Sequence, residues 1–101
     1  MKLYKATLIK SNGLETIISP ADEKHFSLEE LQKYVGGLIQ LISFPNGRVL
    51  ICNDEGRLRG LPFNDRATSI WKKQYPIEKY PLNNDQIVVG DVIISHSALL
   101  K

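Results

Sequence analysis

The chain is short of nearly everything that would announce chemistry. It has a single cysteine, Cys52, inside an apolar run, which excludes an intrachain disulfide and a cysteine-rich zinc site and points to a reducing compartment. Its two histidines, His25 and His96, have no neighbour at the spacing of a His-Glu-x-x-His ligand pair, and a metal or catalytic site needs several converging groups. No metal and no cofactor are therefore expected. Neither a G-x-x-x-x-G-K-[ST] nor a G-x-G-x-x-G run lies between a strand and a helix, so nucleotide-enzyme phosphate loops are missing too. No apolar run approaches the roughly 20 residues that span a bilayer, and no signal-peptide pattern is present, so a cytoplasmic protein without membrane contact is expected.

A strong charge imbalance is also lacking. Thirteen Lys and Arg stand against eleven Asp and Glu, a formal charge of +2 and too even a balance for non-specific nucleic-acid binding, although a local basic patch stays open. What is present is an ordinary globular composition, 43% hydrophobic and 24% charged over 101 residues, enough to bury one core and too little for two. A single domain over residues 1–101 follows.

Residues 3–10 read as a strand, turned at Asn12-Gly13, where both residue types tolerate positive φ, and returned by residues 14–18. Ser27 and Glu30 form a capping box, with Phe26 and Leu31 at the positions of a hydrophobic staple. A helix therefore starts at Leu28, presents Leu28, Leu31 and Val35 on one face, and stops at Gly36-Gly37. Residues 38–44 suit a buried strand, turned by Pro45-Asn46-Gly47 and returned by residues 48–52. After the Asn53-Asp54-Glu55-Gly56 turn, residues 57–61 alternate leucine with charge or glycine and read as a further short strand. Asn64 or Asp65 caps a second short helix carrying Ala67, Ile70 and Trp71, which Tyr75-Pro76 and Tyr80-Pro81 break. Residues 86–95 form the last strand, with a bulge or bend at Gly90-Asp91. The expected architecture is α+β, a mostly antiparallel sheet of about five strands with two short helices.

Candidate chemistry resolves mostly into structure. Cys52 is a nucleophile only if a histidine approaches, and a free cysteine is more often a small buried apolar group. Glu29 and Glu30 belong to the helix start, and Asp54 and Glu55 to a turn. Binding is thus expected rather than catalysis, with Cys52 or His96 the residual enzymatic option. Two clusters invite a partner. Asn53, Gly56, Arg57, Arg59, Asn64 and Arg66, together with the Gly36-Gly37 turn, combine guanidinium forks, amides and glycines that let a ligand approach the backbone. Their competing reading is a solvated strand edge with an Asn-capped helix. Trp71, Tyr75 and Tyr80, interleaved with Lys72, Lys73 and Lys79, suit base stacking, an oligomer contact or an anchor in the core.

Leu31-Gln32, Val35-Gly36-Gly37 and Ile39, then Asn53 with Gly56-Arg57, then Leu61-Pro62 and Asn64, and Gly90 within a last strand, follow the pattern L-Q-x-x-V-G-G-x-I, N-x-x-G-[KR], L-P-x-N. In these motifs the chain resembles a family of small uncharacterised proteins of bacteriophages, plasmids and Gram-positive bacteria. The resemblance implies a mobile-element origin and no assigned activity. Small phage accessory proteins often work by sequestration, so the expected role is binding an anionic small ligand, a nucleotide or nucleotide-derived signal. The alternative is an interaction module that inhibits or scaffolds a host protein through Trp71, Tyr75 and Tyr80. Strands outnumbering what two short helices can cover predict a homo-oligomer.

Overall fold

Val49, Leu50, Ile51 and Cys52 form an unbroken apolar run, and a strand buries such a run only when both its faces are covered. The structure, a computed structural model describing residues 5–45, 47–74 and 87–100, places them in strand β4, Arg48–Asn53. The elements run β1 (Ala6–Ile9), β2 (Glu15–Ile18), helix α1 (Leu28–Val35), β3 (Ile39–Ser43), β4, helix α2 (Asp65–Gln74) and β5 (Val92–His96), then one 3-10 turn, Ser97–Leu99. They build a five-stranded sheet in the order β2-β1-β5-β4-β3, antiparallel at every pairing. Two hairpins, β1–β2 and β3–β4, are thus joined by the last strand, which enters between them. This is the expected α+β architecture.

Each helix covers one face. Because side chains alternate along a strand, Val49, Ile51 and Ile93 project to one side, where they pack with Phe26 and with Leu31 and Val35 of α1. Leu50, Cys52, Val92 and Ile94 project to the other and meet Ala67, Ile70 and Trp71 of α2. Both helices start where side chains satisfy their first amides. In α1 the Ser27 hydroxyl accepts from the Glu30 amide (3.1 Å), and the Glu30 carboxylate accepts from the amides of Ser27 (2.9 Å) and Ala21 (2.8 Å). The Ser27 amide, followed by that of Ala21, holds the Glu30 carboxyl below its ordinary pKa. In α2 the cap is Asn64, whose Oδ1 accepts from the Ala67 amide at 3.0 Å.

Two local expectations change, and the bend expected at Gly90-Asp91 is present but marks where the last strand starts. Residues 38–44 were expected to make a buried strand, yet β3 lies at the sheet edge with Leu41 49% exposed. Only β1, β5 and β4 have neighbours on both sides, and the strands buried on both faces are β4 and β5. Residues 57–61 form no strand: the amides of Arg59 and Leu61 donate to the carbonyls of Glu55 (2.9 Å) and Gly56 (3.0 Å), which winds residues 54–60 into successive turns. Their leucine alternation has no core to face, since Leu58 is 89% exposed, and β4 already has a partner on each edge. The last strand is broken at Gly90-Asp91, so Val89 bridges Phe63 before β5 begins at Val92. The stretch around Tyr75 and Tyr80 lies outside the described residues.

Candidate functional site

The N-x-x-G-[KR] turn divides its residues between two tasks. The Asn53 side chain, buried, donates from Nδ2 to the Val35 carbonyl (3.1 Å) and accepts from the Glu55 amide (2.8 Å). Arg59 donates from Nη1 to the Gly36 carbonyl at 2.7 Å. Both carbonyls belong to the end of α1, where no intrahelical donor remains and a cation complements the helix dipole. Gly36 ends the helix at φ 81°, and a Cβ on Gly37 would stand 2.9 Å from Arg59 Nη1 and 3.0 Å from Asn53 Nδ2. Gly36, Gly37, Asn53 and Arg59 thus come together at the end of α1, where the two side chains clasp its last carbonyls.

Asn64 is likewise engaged in the fold. Fully buried, it donates from Nδ2 to the carbonyls of Ile9 (3.0 Å) and Gly90 (2.8 Å) while capping α2, so its amide ties β1, the Gly90 bend and the helix together. Arg66 pairs through Nε with Glu15 of the edge strand β2 at 3.1 Å, with both side chains roughly half exposed. Such a pair contributes well under about 1 kcal/mol.

Arg57 turns the other way. Its Nη2 donates to the Ile87 carbonyl at 3.2 Å, carrying the guanidinium to the mouth of a cleft of about 340 Å³ on the α2 face of the sheet. The floor is the β3–β4 hairpin, where Gln40 opposes Cys52 in register and Ile42 follows on the same face. Trp71 of α2 forms one wall, and Gly56 with Asp54 belongs to the rim. The remaining wall, residues 87–89, is stitched to its surroundings: the Val88 amide donates to Thr68 Oγ1 (2.9 Å), the Asn64 amide to the Val88 carbonyl (2.8 Å), and the Gly90 amide to the Pro62 carbonyl (2.7 Å). These bonds fix that wall of the cleft to α2 and to the chain before it.

The chemistry inside the cleft is that of contact and charge. The Cys52 thiol, 3.9 Å from Gln40 Oε1, is pushed up to about 11 by burial, with the Asp54 carboxylate adding to the effect. At neutral pH it is therefore protonated and a poor nucleophile. Trp71 offers an aromatic face, Gln40 an amide that both donates and accepts, and Arg57 and Asp54 charges of opposite sign on the same lining. The two predicted clusters meet here, Arg57 and Gly56 from one and Trp71 from the other. Tyr75 and Tyr80 fall outside the described residues. Gln40 and Ile42 were not anticipated, although the turn at Pro45 and Gly47 sets a register that puts residues 40, 42, 50 and 52 on one face.

No helix among the described residues is long and apolar enough to cross a membrane. No curated protein and no solved structure matches the chain. A family model matches residues 5–98, nearly the full length, and its description is a domain of unknown function. The chain belongs to that family, DUF3846.

Proposed function

We propose that this protein binds a small planar anion of the nucleotide class in the cleft between the β3–β4 hairpin, α2 and residues 87–89, and that it acts by capture without turnover. The observation that carries the reading is the meeting of Arg57 and Trp71 at one cleft of about 340 Å³, a size suited to a single small ligand. An indole stacks on any heterocyclic base, and a guanidinium at the mouth takes the anionic group. Asp54 on the same rim opposes dense negative charge, so a cyclic or simple mononucleotide, with little charge, suits the site better than a triphosphate. Capture by a small accessory protein agrees with the phage and plasmid origin that the motif resemblance implies.

Calorimetric titration with mono-, di-, tri- and cyclic nucleotides checks the proposal. At least one singly or doubly charged nucleotide is expected to bind with micromolar affinity. Arg57→Ala should weaken that binding about tenfold or more, the worth of one charge-assisted contact. Arg59→Ala and Arg66→Ala should leave it unchanged. No binding by any of them at high micromolar concentration would remove the small-ligand reading.

Self-association belongs to the same proposal. Both edge strands, β2 and β3, carry exposed apolar side chains, Ile17 and Leu41, and an open edge of this kind is commonly paired across a two-fold axis. Light scattering at tens of micromolar is expected to give twice the monomer mass, and Leu41→Lys to reduce it. A monomer at that concentration would remove self-association from the account.

A further inference from the structure

The opposite end of the sheet carries a basic row that takes no part in the cleft above. Arg48 of β4 and His96 of β5 face each other in register. Continuing the β5–β1 register by two residues from the Thr7–Ile94 pair sets Lys5, immediately before β1, opposite His96 on its other side. Residues opposed across antiparallel strands project to the same face, and adjacent strands lie roughly 4.8 Å apart, so three basic side chains form a row about 10 Å wide. They border a second cleft of about 330 Å³, together with Thr7 of β1 and with Ala98 and Leu99 of the 3-10 turn. No carboxylate is among the described residues that line it. The row is also held in place: the Ser97 amide donates to the Gly47 carbonyl at 2.9 Å, locking the chain after His96 against the turn before Arg48.

We propose that this second cleft binds an oligophosphate, the phosphate chain of a nucleoside di- or triphosphate or the free inorganic chain. The charge arrangement separates the two sites. Asp54 lines the first cleft with Arg57 and disfavours concentrated negative charge, whereas the described lining of the second includes Lys5, Arg48 and His96 and no acid. Consecutive phosphates along a chain need cations spread over several ångströms, as a cross-strand row provides, rather than one fork. Arg48 supplies paired N–H donors, Lys5 a point charge, and the Thr7 hydroxyl a neutral donor at the row's edge. The inference does not depend on the first cleft's being a ligand site.

Titration of the intact chain with inorganic tripolyphosphate at low salt, followed by calorimetry and phosphorus NMR, tests it. Binding in the micromolar range is expected, falling steeply as salt rises. Lys5→Ala and Arg48→Ala should each weaken it about tenfold, with His96→Ala weaker in effect and Arg48→Lys retaining most of the affinity. Lys5 and Arg48 are exposed, and a thermal melt of each variant confirms that the fold is kept. Arg57→Ala should leave tripolyphosphate binding unchanged. A nucleoside triphosphate binding as tightly as tripolyphosphate, with the same dependence on Arg48, identifies the phosphate chain as the recognised group. The proposal is overturned by no tripolyphosphate binding at millimolar concentration, by binding that survives the Lys5→Ala, Arg48→Ala double variant, or by a nucleoside triphosphate that binds here while tripolyphosphate does not.

Discussion

Asn64→Ala is expected to destabilise the protein by about 3 kcal/mol, through the loss of a helix cap worth about 1 kcal/mol and of the donor shared by two carbonyls. The Asn64 side chain is fully buried and uses both ends of its amide, with Oδ1 on the Ala67 amide and Nδ2 on the carbonyls of Ile9 and Gly90. Ordinary N-caps accept aspartate as readily as asparagine, because only an acceptor is needed. Here the second function requires a donor, and a carboxylate would face two carbonyl oxygens. Asn64→Asp is therefore expected to cost at least as much as Asn64→Ala at neutral pH. Urea unfolding of the two variants checks this, and wild-type stability in Asn64→Asp would show that the two carbonyl contacts carry no weight.

Phe26→Ala is expected to cost about 3–5 kcal/mol, the range for truncating a fully buried phenylalanine. Its position before the capping box marks it as a staple for α1, a contact that concerns only the entry of the chain into the helix. In the structure its ring is 0% exposed in the core between α1 and the sheet, its amide donates to the Leu99 carbonyl at 2.7 Å, and it bridges Leu100. It thereby fastens the C-terminal 3-10 turn to the start of α1. Leu28→Ala, at an exposed position of the same helix, should change stability by less than about 0.5 kcal/mol. Comparable effects of the two substitutions in denaturant unfolding would contradict this placing of Phe26.

Local signals with a short reach were legible in the sequence. The capping box, the Asn12-Gly13 hairpin turn and the Gly36-Gly37 stop depend on residues within a few positions of one another, and each forms where its chemistry predicts. Which strand lies in the middle was not legible, because that depends on β5 entering between two hairpins, a pairing between residues about eighty positions apart. The same non-local pairing explains why residues 38–44 read as buried and residues 57–61 as a strand. At the site, Arg57, Gly56 and Trp71 were legible as residue types suited to binding, whereas their convergence was not. It requires α2 to cross the same face of the sheet as Gln40 and Cys52, and Arg57 to reach Ile87 across thirty positions. Arg59 and Asn64 looked equivalent to Arg57 as polar groups near glycines. All three donate to backbone carbonyls, Arg59 to Gly36, Asn64 to Ile9 and Gly90, and Arg57 to Ile87, and only Arg57 of the three also lines the cleft. Lys5, Arg48 and His96 lie far apart in sequence and become neighbours only through the register of three strands.

Trp71 is the only tryptophan in the chain, and it forms a wall of the cleft, so its fluorescence reports directly on occupancy. Titration with cyclic and simple mononucleotides, excited at the red edge of the indole band to avoid absorption by the base, is predicted to quench Trp71 saturably at micromolar concentration. In Arg57→Ala the same curve should shift about tenfold or more to higher ligand concentration, and in Arg59→Ala it should not move. An emission unchanged by every nucleotide at high micromolar concentration, or a saturable change indifferent to Arg57→Ala, would contradict the account.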